Sequence, residues 1–214
     1  MYSQFGEDDY LVKHFFENRR SGTYLEVGAM DGRKFSNTLL LSDRGWTGIL
    51  IEANPRMAAL LYKNRRNDRC FNYAVAKHRG TILFSASNHE ACGAVDTVIS
   101  PEMREKRHRK CEKITVACAP LKDIINASSQ PSIDFWSLDV EGSELECLET
   151  FDWNIRVGLI MIEMLDAYAE KNRKCRKILS EQGFTKHEKD LPLSELWINT
   201  NHLLDAKNSG QHLR

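Results

Sequence analysis

Asp139, Glu141 and Glu163 stand at the ends of two apolar runs, residues 133–140 and 157–163, and Glu52 follows a third at 47–51. Carboxylates at strand ends can accept the hydrogen bonds of a ribose diol, take a proton from a reacting hydroxyl, or hold a hard cation against it. Glu52 lies twenty residues beyond Gly32 (52 − 32 = 20), the spacing at which an acid on a second strand meets both ribose hydroxyls of a nucleoside. Three further carboxylates around one crevice are costly to hold together unless a cation or a proton is shared. Asp139, Glu141 and Glu163 are therefore the candidates for a general base and for the ligands of one Mg²⁺, which oxygen donors suit better than zinc. The alternative for the same residues is that one caps the helix after Gly142 and another faces water. His89 is a second base candidate, in a polar stretch where a lone imidazole is usually solvated.

A glycine turn precedes all of these. In residues 24–32, Tyr24-Leu25-Glu26-Val27-Gly28-Ala29-Met30-Asp31-Gly32, an apolar strand runs into glycines and then a helix, so that a nucleoside can lie against bare backbone. The turn lacks the spacing of a dinucleotide grip, because Met30 stands where GxGxxG needs its second glycine.

The elements that must position these residues alternate between strand and helix, the pattern of an α/β fold with a largely parallel sheet. Strands are expected at 23–27, 47–51, 69–75, 133–140 and 157–163, and helices at 8–18, 38–42, from Pro55, at 121–127 and at 167–182 before Gly183. A closing hairpin is expected from 184–187 and 193–199. Residues 80–117 read as an insertion or acceptor loop over one sheet edge, with strand-like flanks at 81–85 and 113–117. At 214 residues and 42% hydrophobic composition the chain is expected to form one domain, with a frayed end from Asp205. Trp46, Trp136, Trp153 and Trp197 read as packing rather than as sugar platforms.

Thirty basic residues balance thirty acidic ones, so the whole-chain field does not favour a polyanion. The basic run at 104–113 contains two glutamates and no aromatic, and reads as a solvated face. No window approaches the roughly 18 apolar residues of a spanning helix. The six cysteines are scattered without a CxxC pair, and the expected setting is reducing and cytoplasmic.

Taken together, Ser3-Gln4-Phe5-Gly6-Glu7-Asp8, the turn 24–32, Ser36-Asn37-Thr38, Gly45-Trp46-Thr47-Gly48, Ile51-Glu52-Ala53-Asn54-Pro55 and Ser137-Leu138-Asp139-Val140-Glu141-Gly142-Ser143-Glu144 resemble, in order, the blocks of the FkbM-type family of class I S-adenosylmethionine-dependent methyltransferases. The resemblance implies a doubly wound, mostly parallel seven-stranded sheet with an antiparallel last strand, Rossmann-like in outline. It implies cofactor contacts from Glu26, Gly28, Ala29 and Asp31 in the turn, from Glu52 and Ala53 at the ribose, and from Asp139 near the methionine end. The segment carrying Gln4 and Gly6 would fold back over S-adenosyl-L-methionine, and Asn37 would line the same pocket. It further implies O-methylation of a small-molecule or glycan acceptor, with no nucleic acid partner. Residues 87–110 match no family block, and acceptor choice would be written there. The competing readings are an NAD-dependent oxidoreductase, which shares the turn and the ribose acid, a non-catalytic methyltransferase-like module, and a nucleic-acid base methyltransferase, which Asp-Val-Glu-Gly after the fourth strand disfavours.

Overall fold

In the computed structural model, residues 1–86, 93–103, 105, 111–126, 132–189 and 191–200 are described. His89, half of 87–110, Ala127 and the end from Asp205 lie outside them. In chain order the strands are β1 (Thr23–Val27), β2 (Thr47–Ile51), β3 (Arg69–Phe71), β4 (Ala74–Val75), β5 (Gly80–Ala86), β6 (Ala94–Val95), β7 (Glu112–Ala119), β8 (Ser132–Leu138), β9 (Arg156–Glu163), β10 (Thr185–Lys186) and β11 (Ser194–Ile198). The helices are α1 (Glu7–Leu11), α2 (Leu39–Asp43), α3 (Pro55–Asn64), the single turn α4 (Pro101–Met103), α5 (Leu121–Asn126), α6 (Glu144–Thr150) and α7 (Ala169–Glu181).

Seven strands form one sheet in the order β10-β11-β9-β8-β1-β2-β3, with β11 antiparallel to both of its neighbours and the pairs from β9 to β3 parallel. This is the doubly wound, Rossmann-like sheet expected from the sequence. Neighbouring residues of the central strands feed opposite faces, as the two-residue period of a strand demands. Leu25, Ile49, Trp136 and Ile160 enter one core, while Tyr24, Leu50, Phe135 and Leu159 enter the other. Pro55 opens α3, and the Asn54 side chain accepts from the Arg56 N–H, as expected for a capped start.

Two local expectations change. The opening helix is not uniform, since α1 widens into a π-helix over Val12–Phe16. An i to i+5 ladder brings residues five apart nearly onto one face, which lets Leu11 and Phe16 both reach full burial. The expected strand at 69–75 is two strands: β3 pairs with β2, whereas β4 pairs with β7 in a second sheet. Between them the Asn72 amide donates to the carbonyls of Glu52 and Ala53 at 2.7 and 3.0 Å, so the side chain takes the ladder's place and the backbone turns away. The strand-like flanks expected at 81–85 and 113–117 do form strands. β5 and β7 pair antiparallel along their length within a four-stranded sheet of order β4-β7-β5-β6.

Candidate functional site

The first wall is the end of β1. Its neighbours β2 and β8 both end beside it, and the chain leaves the sheet between them. The N–H groups of Gly28 and Ala29 both donate to the Ile51 carbonyl, at 2.9 and 3.1 Å, and the Asp139 N–H donates to the Val27 carbonyl. Gly28 takes a φ of +90°, and a Cβ there would lie 1.7 Å from the Asp139 carbonyl oxygen. The bare backbone of the turn is thus needed first by the neighbouring strand, which it lets approach to contact.

Met30 follows at a φ of 48°, which aims its N–H at Glu52 Oε2, 2.8 Å away. Glu52 Oε1 accepts from the Asn54 N–H at 2.7 Å. The Ala53 N–H adds a third backbone donor to the same carboxylate. Burial pushes the Glu52 carboxyl up to about 7, with the N–H groups of Asn54 and Met30 opposing the rise. Glu52 and Ala53 line a small cavity of about 60 Å³ whose other walls include Met57, Val75, Phe84 and Val95. Apolar walls around one carboxylate suit a nucleoside, whose base is flat and whose ribose offers two donors.

Glu26 is employed differently. It is 3% exposed, and its oxygens accept from the Ser36 and Thr38 hydroxyls and from the Asn37 N–H, with Arg65 Nη1 at 3.8 Å. Burial pushes its carboxyl up and Arg65 pulls it down. It anchors the loop after the turn to β1, and that loop sets Asn37, whose amide donates to Ser137 Oγ on β8 at 3.0 Å.

A larger crevice of about 450 Å³ lies on the other side of Gly28, lined by Gln4, Glu26, Ala29, Asn37, Ser137 and the three strand-end acids, among others. The two cavities share Gly28, Met30, Asp139 and Glu141. Of the expected cofactor residues, Gly6 and Asp31 line neither. Gly6 holds a φ of +85° ahead of α1, and Asp31 Oδ1 accepts from the N–H groups of Arg33 and Lys34, which makes it a turn former.

Asp139, Glu141 and Glu163 do meet. Each offers a carboxylate oxygen within 4.8 Å of the others. Asp139 is exposed, whereas Glu141 and Glu163 are buried. Burial and the charges of Asp139 and Glu141 hold the Glu163 carboxyl well above the usual carboxylate range, against the pull of Lys171.

A fourth acid serves the turn after β8. That task falls to Glu144, whose Oε1 accepts from the N–H groups of Val140 and Gly142 and whose Oε2 pairs with Lys171. The sequence contains Glu144 in its most distinctive block, yet only the left-handed φ of Glu141 (52°) and Gly142 (114°) shows why the turn needs it. The mouth is apolar. Phe5, Phe35, Pro192 and Leu193 line it, and Lys34 lies over the Phe35 ring at 4.9 Å. The sequence carries no signal for this rim, because its members come from three separate segments.

A sheet whose first turn, second-strand acid and fourth-strand acids converge on two joined cavities has the layout the motif blocks imply, and residues 26–186 match the model of the methyltransferase FkbM domain. The chain belongs to the FkbM methyltransferase family. As a member of that family it is an S-adenosylmethionine-dependent methyltransferase, which sets aside the nicotinamide oxidoreductase reading. No curated protein sequence matches it significantly.

Among solved structures, this FkbM methyltransferase resembles a provisionally assigned caffeoyl-CoA O-methyltransferase from Staphylococcus aureus. That match has a TM-score of 0.52 and 10% identity, over 88% of this chain and 80% of that one. A SAM-dependent methyltransferase from Aquifex aeolicus aligns at 0.46 and 14% identity over 89% and 87%. A TehB-like SAM-dependent methyltransferase from Corynebacterium glutamicum aligns at 0.44 and 10% over 91% and 85%. At these identities the likeness is one of fold. No helix among the described residues is long and apolar enough to cross a membrane.

Proposed function

We propose that this FkbM methyltransferase moves the S-adenosylmethionine methyl group to a hydroxyl oxygen of a sugar, glycan or small secondary metabolite. The observation that carries the reading is the convergence of Asp139, Glu141 and Glu163 in the larger crevice, where Asp139 and Glu141 also border the small cavity. With adenosine seated over Glu52, where the small cavity opens to admit it, the ribose diol donates to the Glu52 carboxylate, and Ala53 borders it. The methionine end then crosses Gly28 and Ala29 toward Asp139, with Gln4 and Asn37 lining its path. The acceptor enters past Phe5, Phe35 and Leu193 and brings its hydroxyl to the acids. The sulfonium methyl is already activated, so alignment and removal of one proton are what the protein has to supply. The acids supply the second, directly or through a bound Mg²⁺.

A radiolabelled methyl-transfer screen over sugars, glycans and small hydroxylated metabolites tests this reading. At least one hydroxyl acceptor should be labelled, and Asp139→Asn should lower its turnover by about a hundredfold, the range of a lost general base. Labelling confined to proteins or nucleic acids, or full turnover by the variant, would overturn it.

Glu52 gives a second check. With its carboxyl at about 7, the free protein is mostly protonated at about pH 6 and mostly ionised at about pH 8. Only the ionised form accepts from both ribose hydroxyls. S-Adenosylhomocysteine should therefore bind more tightly as pH rises through 7, by up to about tenfold between pH 6 and 8. Calorimetric titration should show that slope in the wild type and its loss in Glu52→Gln. A flat wild-type profile would mean that Glu52 does not meet the ribose.

A further inference from the structure

Most buried acids around the two cavities are satisfied. Glu7 accepts from the Phe5 N–H, Glu26 from two hydroxyls and a backbone N–H, Glu52 from three backbone N–H groups, and Glu144 from two more and from Lys171. Glu163 departs from this pattern. It is 5% exposed, lines the crevice, and keeps Oε2 buried without a hydrogen-bond partner among the described residues. Buried polar atoms in folded proteins are almost always paired, so an acceptor left bare toward two other carboxylates calls for a shared proton or a cation.

The basic groups nearby are already engaged. The Lys171 ammonium pairs with Glu144, and Lys34, the basic residue lining the crevice, stacks over Phe35 at the mouth. A divalent ion fits the spacing instead. Oxygens around an octahedral cation at ~2.1 Å lie roughly 3 to 4 Å apart, and the three carboxylate oxygens already lie within 4.8 Å of one another, so small side-chain rotations close the set. All three donors are carboxylates, which favour a hard ion such as Mg²⁺ or Mn²⁺ over zinc.

We propose that Asp139, Glu141 and Glu163 hold one hard divalent cation on the crevice wall, with its remaining coordination positions open to the acceptor. This deepens the hydroxyl-methylation reading and rests on it for the acceptor's role, while the site itself stands on the geometry above. A cation held there would make a nearby acceptor hydroxyl more acidic, and the exposed Asp139 carboxylate or water would take its proton. The oxygen–methyl bond forms as the sulfur–methyl bond breaks, and the sulfonium becomes a neutral thioether. One proton is released and no redox partner is needed. An acceptor with two adjacent oxygens fills two positions and is held best.

The test needs no turnover. Mn²⁺ titration of the full chain, read by electron paramagnetic resonance, should show one saturable site from which Mg²⁺ competes Mn²⁺ away. Glu163→Gln and, separately, Glu141→Gln should each weaken Mn²⁺ binding by at least about tenfold. Circular dichroism checks that both fold, and the wild-type titration decides alone if neither does. No saturable Mn²⁺ binding by the wild type, or equal binding by a folded Glu163→Gln protein, would overturn the inference. The two readings fail separately. Mn²⁺ binding that depends on Glu163, with no hydroxyl labelled in the acceptor screen, removes O-methylation and leaves the cation. Hydroxyl methylation without any Mn²⁺ binding does the reverse.

Discussion

Gly28→Ala is expected to abolish S-adenosylhomocysteine binding and to destabilise the fold by about 2–5 kcal/mol. A left-handed backbone costs a non-glycine residue roughly 1–2 kcal/mol, and overpacking a tight site adds roughly 1–3 more. The new Cβ would lie 1.7 Å from the Asp139 carbonyl oxygen and 2.9 Å from its carbonyl carbon, and backbone atoms cannot swing aside as a flexible side chain can. Relief has to come from parting β1 and β8, which moves Asp139 and the turn together. Calorimetric titration should register at least about a hundredfold loss of affinity, equivalent to about 2.7 kcal/mol. Gly80→Ala is the control, because a Cβ there meets nothing within 4 Å. A Gly28→Ala protein that melts and binds like the Gly80→Ala protein would refute the steric account.

Arg65→Met should have the next largest effect, on stability rather than on chemistry. Arg65 is 3% exposed and spends its guanidinium on the Asp68 carboxylate, the Gly32 carbonyl and the hydroxyls of Tyr24, Ser36 and Thr38. Taking it away strands Glu26 and Asp68 as buried acids, and a buried ion pair that loses one member typically costs about 3–5 kcal/mol. For a chain of this size that corresponds to a drop in melting temperature of roughly 10 °C. Adding Glu26→Gln should restore part of the loss, since the two residues share one network. Arg65→Lys should restore little, because an ammonium cannot reproduce a five-donor fork. Equal melting temperatures for wild type and Arg65→Met would show that the network carries no net stability.

The parts of this molecule legible in its sequence are those written in short-range patterns. Continuous apolar runs gave away β1, β2, β8 and β9, and the acids behind them marked the sheet's ligand-binding end, as parallel strands require. Cap residues marked α3, and Gly183 marked the end of α7. Features decided by tertiary contact were not legible. The break between β3 and β4 depends on Asn72 finding the carbonyls of Glu52 and Ala53, which lie about twenty residues away. Glu26 has the position of a cofactor ligand in its motif, yet Arg65, Ser36 and Thr38 converge on it from two later segments. Glu144 has its task set by the left-handed backbone of Glu141 and Gly142, which leaves the N–H groups of Val140 and Gly142 for it to satisfy.

The two cavities draw on different parts of the fold. Phe84 and Val95 reach the small one from the four-stranded sheet, beside Val27, Ile51 and Glu52 of the seven-stranded one, whereas the crevice beyond Gly28 is built by the seven-stranded sheet, its loops and the chain's first residues. Under the proposed reading, the second sheet borders the methyl donor but not the methyl acceptor, and the two pockets meet at four residues. A lineage carrying this fold can therefore drift at Phe5, Phe35 and Leu193 and acquire new acceptors while the donor pocket is inherited intact.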